Sequence, residues 1–179
     1  MLETHVKVNG HDLVVIASHW SSRIQDKGER RGHYAEVIHD RFKALHRANN
    51  AVDLIICGDF NDTPDDPSVV QTLHAVGSLN SVRQAGDPPL LLNLMAGKDP
   101  AKFGTHYYHR WMIFDQIVVS PGLLDEDGWT CEVDSVQTIN HLTQPRDKIG
   151  RPWRFGNERD KAPRGYSDHF SVTVKLKVR

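Results

Sequence analysis

Cysteine is nearly absent from this chain: Cys57 and Cys131 are the two in 179 residues. Two are too few for the disulfide framework of a small secreted scaffold, so the fold must rest on a packed core. Cys57 closes an apolar run and reads as a small core residue rather than a reactive thiol. An excess of either charge is missing too. Lys and Arg total 22 against 23 Asp and Glu, a formal net charge of -1. No overall field therefore draws the chain to nucleic acid, and any such contact must come from local basic patches. No apolar stretch is long enough to span a bilayer, and no internal repeat or low-complexity segment is present. No leader precedes the first strand-like element: Met1-Leu2-Glu3 runs straight into His5-Val6-Lys7-Val8, which reads as a chain that begins inside a domain.

What is there is the balance of a globular domain, 39% hydrophobic and 25% charged, in a length sufficient for one core. Val6 and Val8, the pair Asn9-Gly10 and the run Leu13 to Ala17 predict a hairpin with a tight left-handed turn. Tyr34, Val37, Ile38, Phe42 and Leu45 recur at helical spacing, so a helix is expected from about Gly32 to Ala48. The buried run Asp53 to Cys57 follows. Strand, helix and strand in that order favour parallel pairing with the helix on one face. Asp65-Asp66-Pro67-Ser68 predicts the start of a second helix with Val69, Val70, Leu73 and Val76 on its apolar face and Gly77 as its stop. Residues 78–103 carry loop signals and little periodicity. Thr105 to Tyr108, Ile113 to Val119, Trp129 to Ile139 and Phe170 to Val178 read as strands. His141 to Gly165 reads as a long loop, a place where function often resides.

Several polar residues fall at the ends of these strands. Asp59 and Asn61 in Cys57-Gly58-Asp59-Phe60-Asn61 follow the buried run and can project to one side. There Asp59 can orient or deprotonate a water and Asn61 can donate to a phosphate oxygen; alternatively both bond the backbone of a turn. Ser167-Asp168-His169 stands before the last strand. Asp115 interrupts the apolar run Trp111 to Val119, where an acid must be paired or lie at an edge. A His bonded to it would have its tautomer fixed, and His169 is the expected partner. His19 ends the Leu13–Ala17 strand, on the rim where parallel strands deliver their C-terminal ends. Ser22 and Arg23 offer phosphate contacts from the adjoining loop, or simple solvation. Trp153 among Arg151, Arg154 and Arg159 reads either as a stacking-and-phosphate surface or as core cover.

Taken in order, Ala17-Ser18-His19-Trp20, Gly58-Asp59-Phe60-Asn61, Phe114-Asp115-Gln116-Ile117-Val118-Val119-Ser120 and Tyr166-Ser167-Asp168-His169-Phe170-Ser171-Val172 resemble the endonuclease/exonuclease/phosphatase superfamily. The resemblance implies the deoxyribonuclease-I-like fold, an α/β sandwich of two sheets. It implies that Asp59 positions and activates the attacking water and Asn61 binds the scissile phosphate. His169, oriented by Asp115, would polarise or protonate the phosphate. Asp168 would help hold Mg²⁺ or Mn²⁺, and His19 would contact phosphate. Gly104-Thr105-His106-Tyr107-Tyr108 also resembles family members, with Thr105 as a further phosphate contact.

The family's N-terminal half carries an Asn and a metal-binding Glu. Glu3 and Asn9 are the only early residues of those types here, and their surroundings do not match. The expectation is one domain over residues 1–179 lacking most of that half, with apolar sheet surface left open to a partner or an oligomer. The expected function of the parent protein is metal-dependent hydrolysis of a phosphodiester or phosphomonoester: nucleic acid, phospholipid headgroup or small phosphoester. The rivals are a sphingomyelinase-like or sugar-phosphate phosphatase instead of a nuclease, and a non-catalytic domain that binds a partner.

Overall fold

The computed structural model describes residues 1–24, 26–125, 127–156 and 164–179. Strands β1 (Leu2–Val8) and β2 (His11–Ala17) form the expected antiparallel hairpin. Asn9 and Gly10 turn it with φ of 52° and 88°, the left-handed pair that a two-residue hairpin demands. Helix α1 (Glu29–Ala48) starts three residues before the expected Gly32. Asp26 explains the difference, because its carboxylate accepts the N–H groups of Gly28, Arg30 and Arg31 that a helix start leaves unpaired. Strand β3 (Asp53–Asp59) then pairs parallel with β2, as the strand–helix–strand pattern requires.

The expected second helix is cut short. Ser68–Thr72 is one wide turn of π type, and Ala75 and Val76 form the short strand β4 (Ala75–Val76). His74 takes a φ of 58°, which no right-handed helix admits. Val69 and Leu73 are buried, Val70 is exposed, and Val76 pairs with Leu92. The stretch that carried no pattern holds three short elements. These are α2 (Leu79–Gln84) capped by Ser78, β5 (Leu91–Asn93), and α3 (Pro100–Phe103) capped by Asp99. A small hairpin follows, β6 (His106–Tyr108) and β7 (Arg110–Met112), and then β8 (Asp115–Val119). Ile113 and Phe114 therefore precede β8 instead of opening it. Strands β9 (Trp129–Ile139) and β10 (Ser171–Val178) complete the chain.

Six strands form one sheet in the order β1-β2-β3-β8-β5-β4. Helix α1 packs on one face through Ala35, Ile38 and Phe42 against Val14, Ile16, Leu54 and Ile56. The antiparallel pair β9 and β10 covers the other, where Cys131 and Val136 meet Leu13, Ile55, Ile117 and Val119. This is a mixed α/β arrangement with two stacked sheets, the second having two strands among the described residues. Along β1, Leu2, Val6 and Val8 stay exposed. Among the described residues, no helix is long and apolar enough to cross a membrane.

Candidate active site

Strands β2 and β3 end together, and Gly58 permits it. A Cβ there would lie 2.0 Å from the Ser18 carbonyl oxygen, and φ is +138°, so no side chain is tolerated. Backbone bonds from Ser18 to Cys57 (3.0 Å) and from Trp20 to Asp59 (2.9 Å) carry the pairing past the last strand residues. Beneath them the buried rings of Trp20 and Phe60 stack with centroids 4.4 Å apart, tilted by 6°. Phe60 thus anchors the loop, and its neighbours Asp59 and Asn61 are held at the rim. Asp59 faces His19, whose Nε2 stands 3.5 Å from Asp59 Oδ2.

Strand β8 runs antiparallel to β3, and in its register Asp115 lies directly opposite Asp59. The start of one strand thereby meets the end of the other. His169, just before β10, donates from Nδ1 to Asp115 Oδ2 at 2.7 Å, and its Nε2 lies 3.9 Å from Asp59 Oδ2. His19, Asp59, Asn61, Asp115 and the pair Asp168-His169 are thus brought to one rim. Burial raises the Asp59 carboxyl above its ordinary range, opposed by the charge of His169. Burial alone would lower the His169 imidazole, but the Asp115 hydrogen bond and the nearby acids outweigh it, so His169 holds its proton more tightly than a free imidazole. The arrangement is a buried carboxylate of raised proton affinity beside a histidine that holds its proton more tightly than usual, with Nε2 of that histidine directed away from its orienting acid.

Three expected contacts differ. Asn61, at φ 50°, donates both amide hydrogens to protein, at 3.1 Å to Trp20 O and 3.1 Å to Asp59 Oδ2. A phosphate oxygen would have to take one of these places. Thr105 does not face the rim as a phosphate contact. It is fully buried, and its hydroxyl accepts the N–H groups of Phe114 (3.0 Å) and Asp115 (3.1 Å). It positions Asp115 instead. Arg23 is likewise engaged: Nε donates to the Asn61 carbonyl at 2.7 Å, Nη2 binds Asp62 at 2.8 Å and also Asp66, and the guanidinium lies over the Phe114 ring. It braces the 59–66 loop. In the long loop Arg151 is paired with Asp147 and lies over Tyr107, while Arg154 sits 3.4 Å from Asp168. Arg159 lies outside the described residues.

Sequence reasoning missed Asp62, Gln116 and His106. Buried Asp62 gathers Arg23, Arg31 and the Ser68 hydroxyl. Gln116, fully enclosed on β8, donates to the Asp62 carbonyl at 2.6 Å and accepts from Asn93 at 2.7 Å. An unbroken Asp-Phe-Asn-Asp run was the available signal for Asp62, and a Gln inside an apolar strand was the signal for Gln116. His106 donates from Nδ1 to the Asp168 carbonyl at 3.0 Å, and its ring lies 4.4 Å from that of His169. Its imidazole is held low, chiefly by burial and then by His169.

For a hard divalent cation the rim offers the half-exposed Asp168 carboxylate, Asp59 and the free oxygen of Asn61, oxygen donors of the right kind. Glu3 is not among them, since both of its oxygens bind Arg41 (2.6 and 2.5 Å). Asn9 sits in the β1–β2 turn, at the other end of β2 from His19. Among the described residues, His106, Asp168 and His169 form a group of potential ligands, one donor atom from each lying within 4.8 Å of the others.

The sequence pattern of the Endonuclease/Exonuclease/phosphatase family matches residues 1–178. The chain belongs to that family. No curated protein sequence matches it. Among solved structures, the family fold recurs in humanized TDP2 of D. rerio, with TM-score 0.61, 18% identity, 98% of this chain and 59% of that one. It recurs in a mannosyl-6-phosphatase of Bacteroides thetaiotaomicron, with TM-score 0.54, 19% identity, 94% of this chain and 52% of that one. Sphingomyelinase C of Streptomyces griseocarneus gives TM-score 0.54 and 13% identity over 97% of this chain and 55% of that one. At such identities the likeness establishes the deoxyribonuclease-I-like fold alone. The chain spans between 52% and 59% of these relatives' lengths.

Proposed function

We infer that the protein to which this chain belongs hydrolyses a phosphate ester by attack of an activated water. The observation that carries this reading is the 2.7 Å Asp115–His169 bond with the far nitrogen of that ring turned toward Asp59. Asp59, with its raised proton affinity, orients the water and takes its proton. His169, whose proton affinity the Asp115 hydrogen bond raises, donates from Nε2 to the phosphate. His19 approaches the same phosphate from the end of β2. Asn61 holds Asp59 and turns one amide hydrogen to a phosphate oxygen when substrate displaces that contact. When bound at Asp168, Mg²⁺ or Mn²⁺ supplies charge stabilisation on the phosphate. The family's breadth, with neighbours named as a phosphatase and as a sphingomyelinase, supports phosphomonoesters and phosphodiesters equally.

The test is turnover of p-nitrophenyl phosphate and bis-p-nitrophenyl phosphate with Mg²⁺ or Mn²⁺. The expected result is a fall in kcat of about 10²- to 10⁴-fold in Asp59→Ala and in His169→Ala. Variants as active as the parent would refute the reading.

A second reading, a domain that binds a partner without catalysis, is favoured by one observation. The only early Glu is bound to Arg41 on α1 and supplies nothing to a metal. Exposed Leu2, Val6 and Val8 on the edge strand would then be covered by a second copy or another protein. Light scattering on the isolated chain separates a monomer from such an assembly.

A further inference from the structure

His169 and the neighbouring His106 are arranged as metal ligands usually are. A metal-binding imidazole nearly always donates its other ring N–H to a carboxylate or a backbone carbonyl, which fixes the tautomer and aims the free nitrogen. His169 does this with the Asp115 carboxylate at 2.7 Å, and His106 with the Asp168 carbonyl at 3.0 Å. In each ring Nδ1 is engaged, and Nε2 is the nitrogen left for a ligand. The rings lie 4.4 Å apart, and a backbone bridge between His106 and His169 ties β6 to the segment before β10. The Asp168 side chain is the third donor. One ring nitrogen of each histidine and one Asp168 carboxylate oxygen lie within 4.8 Å of one another, a separation that a single tetrahedral ion, with ligand bonds near 2.0–2.2 Å, bridges after side-chain turns.

The geometry points to a second cation site, made of His106, Asp168 and His169, that takes a nitrogen-preferring divalent ion such as Zn²⁺ in preference to Mg²⁺. Two imidazoles and one carboxylate are a borderline-soft set, suited to Zn²⁺ and poorly suited to Mg²⁺, which holds oxygen and water. Three protein ligands leave one tetrahedral position open. The site shares His169 and Asp168 with the proposed hydrolytic centre. An ion on Nε2 of His169 therefore removes the proton donor, and Zn²⁺ would act as an inhibitor of that chemistry. Only this last consequence rests on the hydrolytic reading; the binding itself does not.

The experiment is calorimetric titration of the purified chain with ZnCl₂ at neutral pH, repeated with Mg²⁺ in large excess and with Co²⁺ as a spectroscopic substitute. One Zn²⁺ should bind per chain, Mg²⁺ should fail to displace it, and Co²⁺ should show the intense visible bands of a tetrahedral site. His106→Ala and Asp168→Asn should each weaken binding at least tenfold, and Asp115→Asn about 10- to 100-fold through loss of its hold on the ring. Asp168 is half-exposed, so its variant tests the site even where His106→Ala disturbs folding. Absence of binding, displacement by Mg²⁺, or affinity unchanged in both His106→Ala and Asp168→Asn would overturn the site. Because no substrate is present, these outcomes are separate from the fate of the hydrolytic proposal. Zn²⁺ that binds at this site yet leaves phosphate-ester turnover untouched would overturn its inhibitory consequence.

Discussion

Strand β3 carries an acid at each end, and the lower one, Asp53, yields a stability prediction with a definite sign. Asp53 is 8% exposed. Its Oδ2 accepts the Trp129 N–H at 3.1 Å, while Oδ1 is buried with no partner. Burial, then the nearby acids Asp125 and Asp127, lift its pKa from 3.8 to about 6; the Trp129 N–H and His11 pull the other way. The folded state therefore holds this proton more tightly than the unfolded chain. The stability it contributes is complete below about pH 4 and is lost as pH rises through 6. At about 1.4 kcal/mol per tenfold change in proton affinity, the loss is about 3 kcal/mol by neutral pH. Asp53→Asn removes the titration and keeps an oxygen for the Trp129 N–H, although its amide hydrogens need an acceptor in turn, an offset of about 1–3 kcal/mol. That offset does not vary with pH, so the slope is diagnostic. Urea unfolding followed by tryptophan fluorescence from pH 4.5 to 7.5 should show the parent losing about 2 kcal/mol relative to the variant across the range, roughly the first 1 kcal/mol having gone below pH 4.5. Asp59 and His169 also titrate in the parent, but they are common to both proteins and cancel in the difference. Parallel pH profiles for the two proteins would refute the reasoning.

Asp115→Asn should lower the pKa of His169 as read by NMR titration of its ring protons, because the carboxylate hydrogen bond is the largest influence raising it; an unchanged titration would remove Asp115 from its orienting role. Phe60→Ala should cost about 3–5 kcal/mol in urea unfolding, as expected of a fully buried ring in a stacked pair, and a cost under about 1 kcal/mol would mean that the stack does not anchor the loop. Thr105→Val should destabilise by about 1–3 kcal/mol, since the N–H groups of Phe114 and Asp115 lose their acceptor; a Thr105→Val variant of full stability would mean that this hydroxyl does not hold the start of β8.

The hairpin, helix α1 and strands β3 and β9 were legible because their signals are local. Asn9-Gly10 fixes a turn, and the 3.6-residue spacing of Tyr34 to Leu45 fixes a face. The split at Ser68–Val76 was not, because the pairing of Val76 with Leu92 is a tertiary fact that overrides a helical pattern. The gathering of His19, Asp59, Asn61, Asp115 and His169 was read from strand ends, and the distances bring these residues to one rim. Thr105 and Arg23 have partners that the sequence did not disclose, for one reason. A hydroxyl and a guanidinium look free in a sequence, and nothing local reveals that backbone N–H groups or buried carboxylates elsewhere will claim them. Asp62 and Gln116 escaped notice for the same reason in reverse, as their importance lies in partners up to 54 residues away.

The opposed directions of β3 and β8 set a rule for how this molecule can change. Asp59 and Asp115 meet only because the ladder from Ile55–Val119 to Asp59–Asp115 is in step. Inserting or deleting one residue within either strand would swing its acid to the far side of the sheet and bring a neighbour, such as Gln116 or Phe114, into its place. Variation in length is thus confined to the connecting segments, and diversity in the molecules recognised has to be written there, around a pair of acids whose spacing cannot drift.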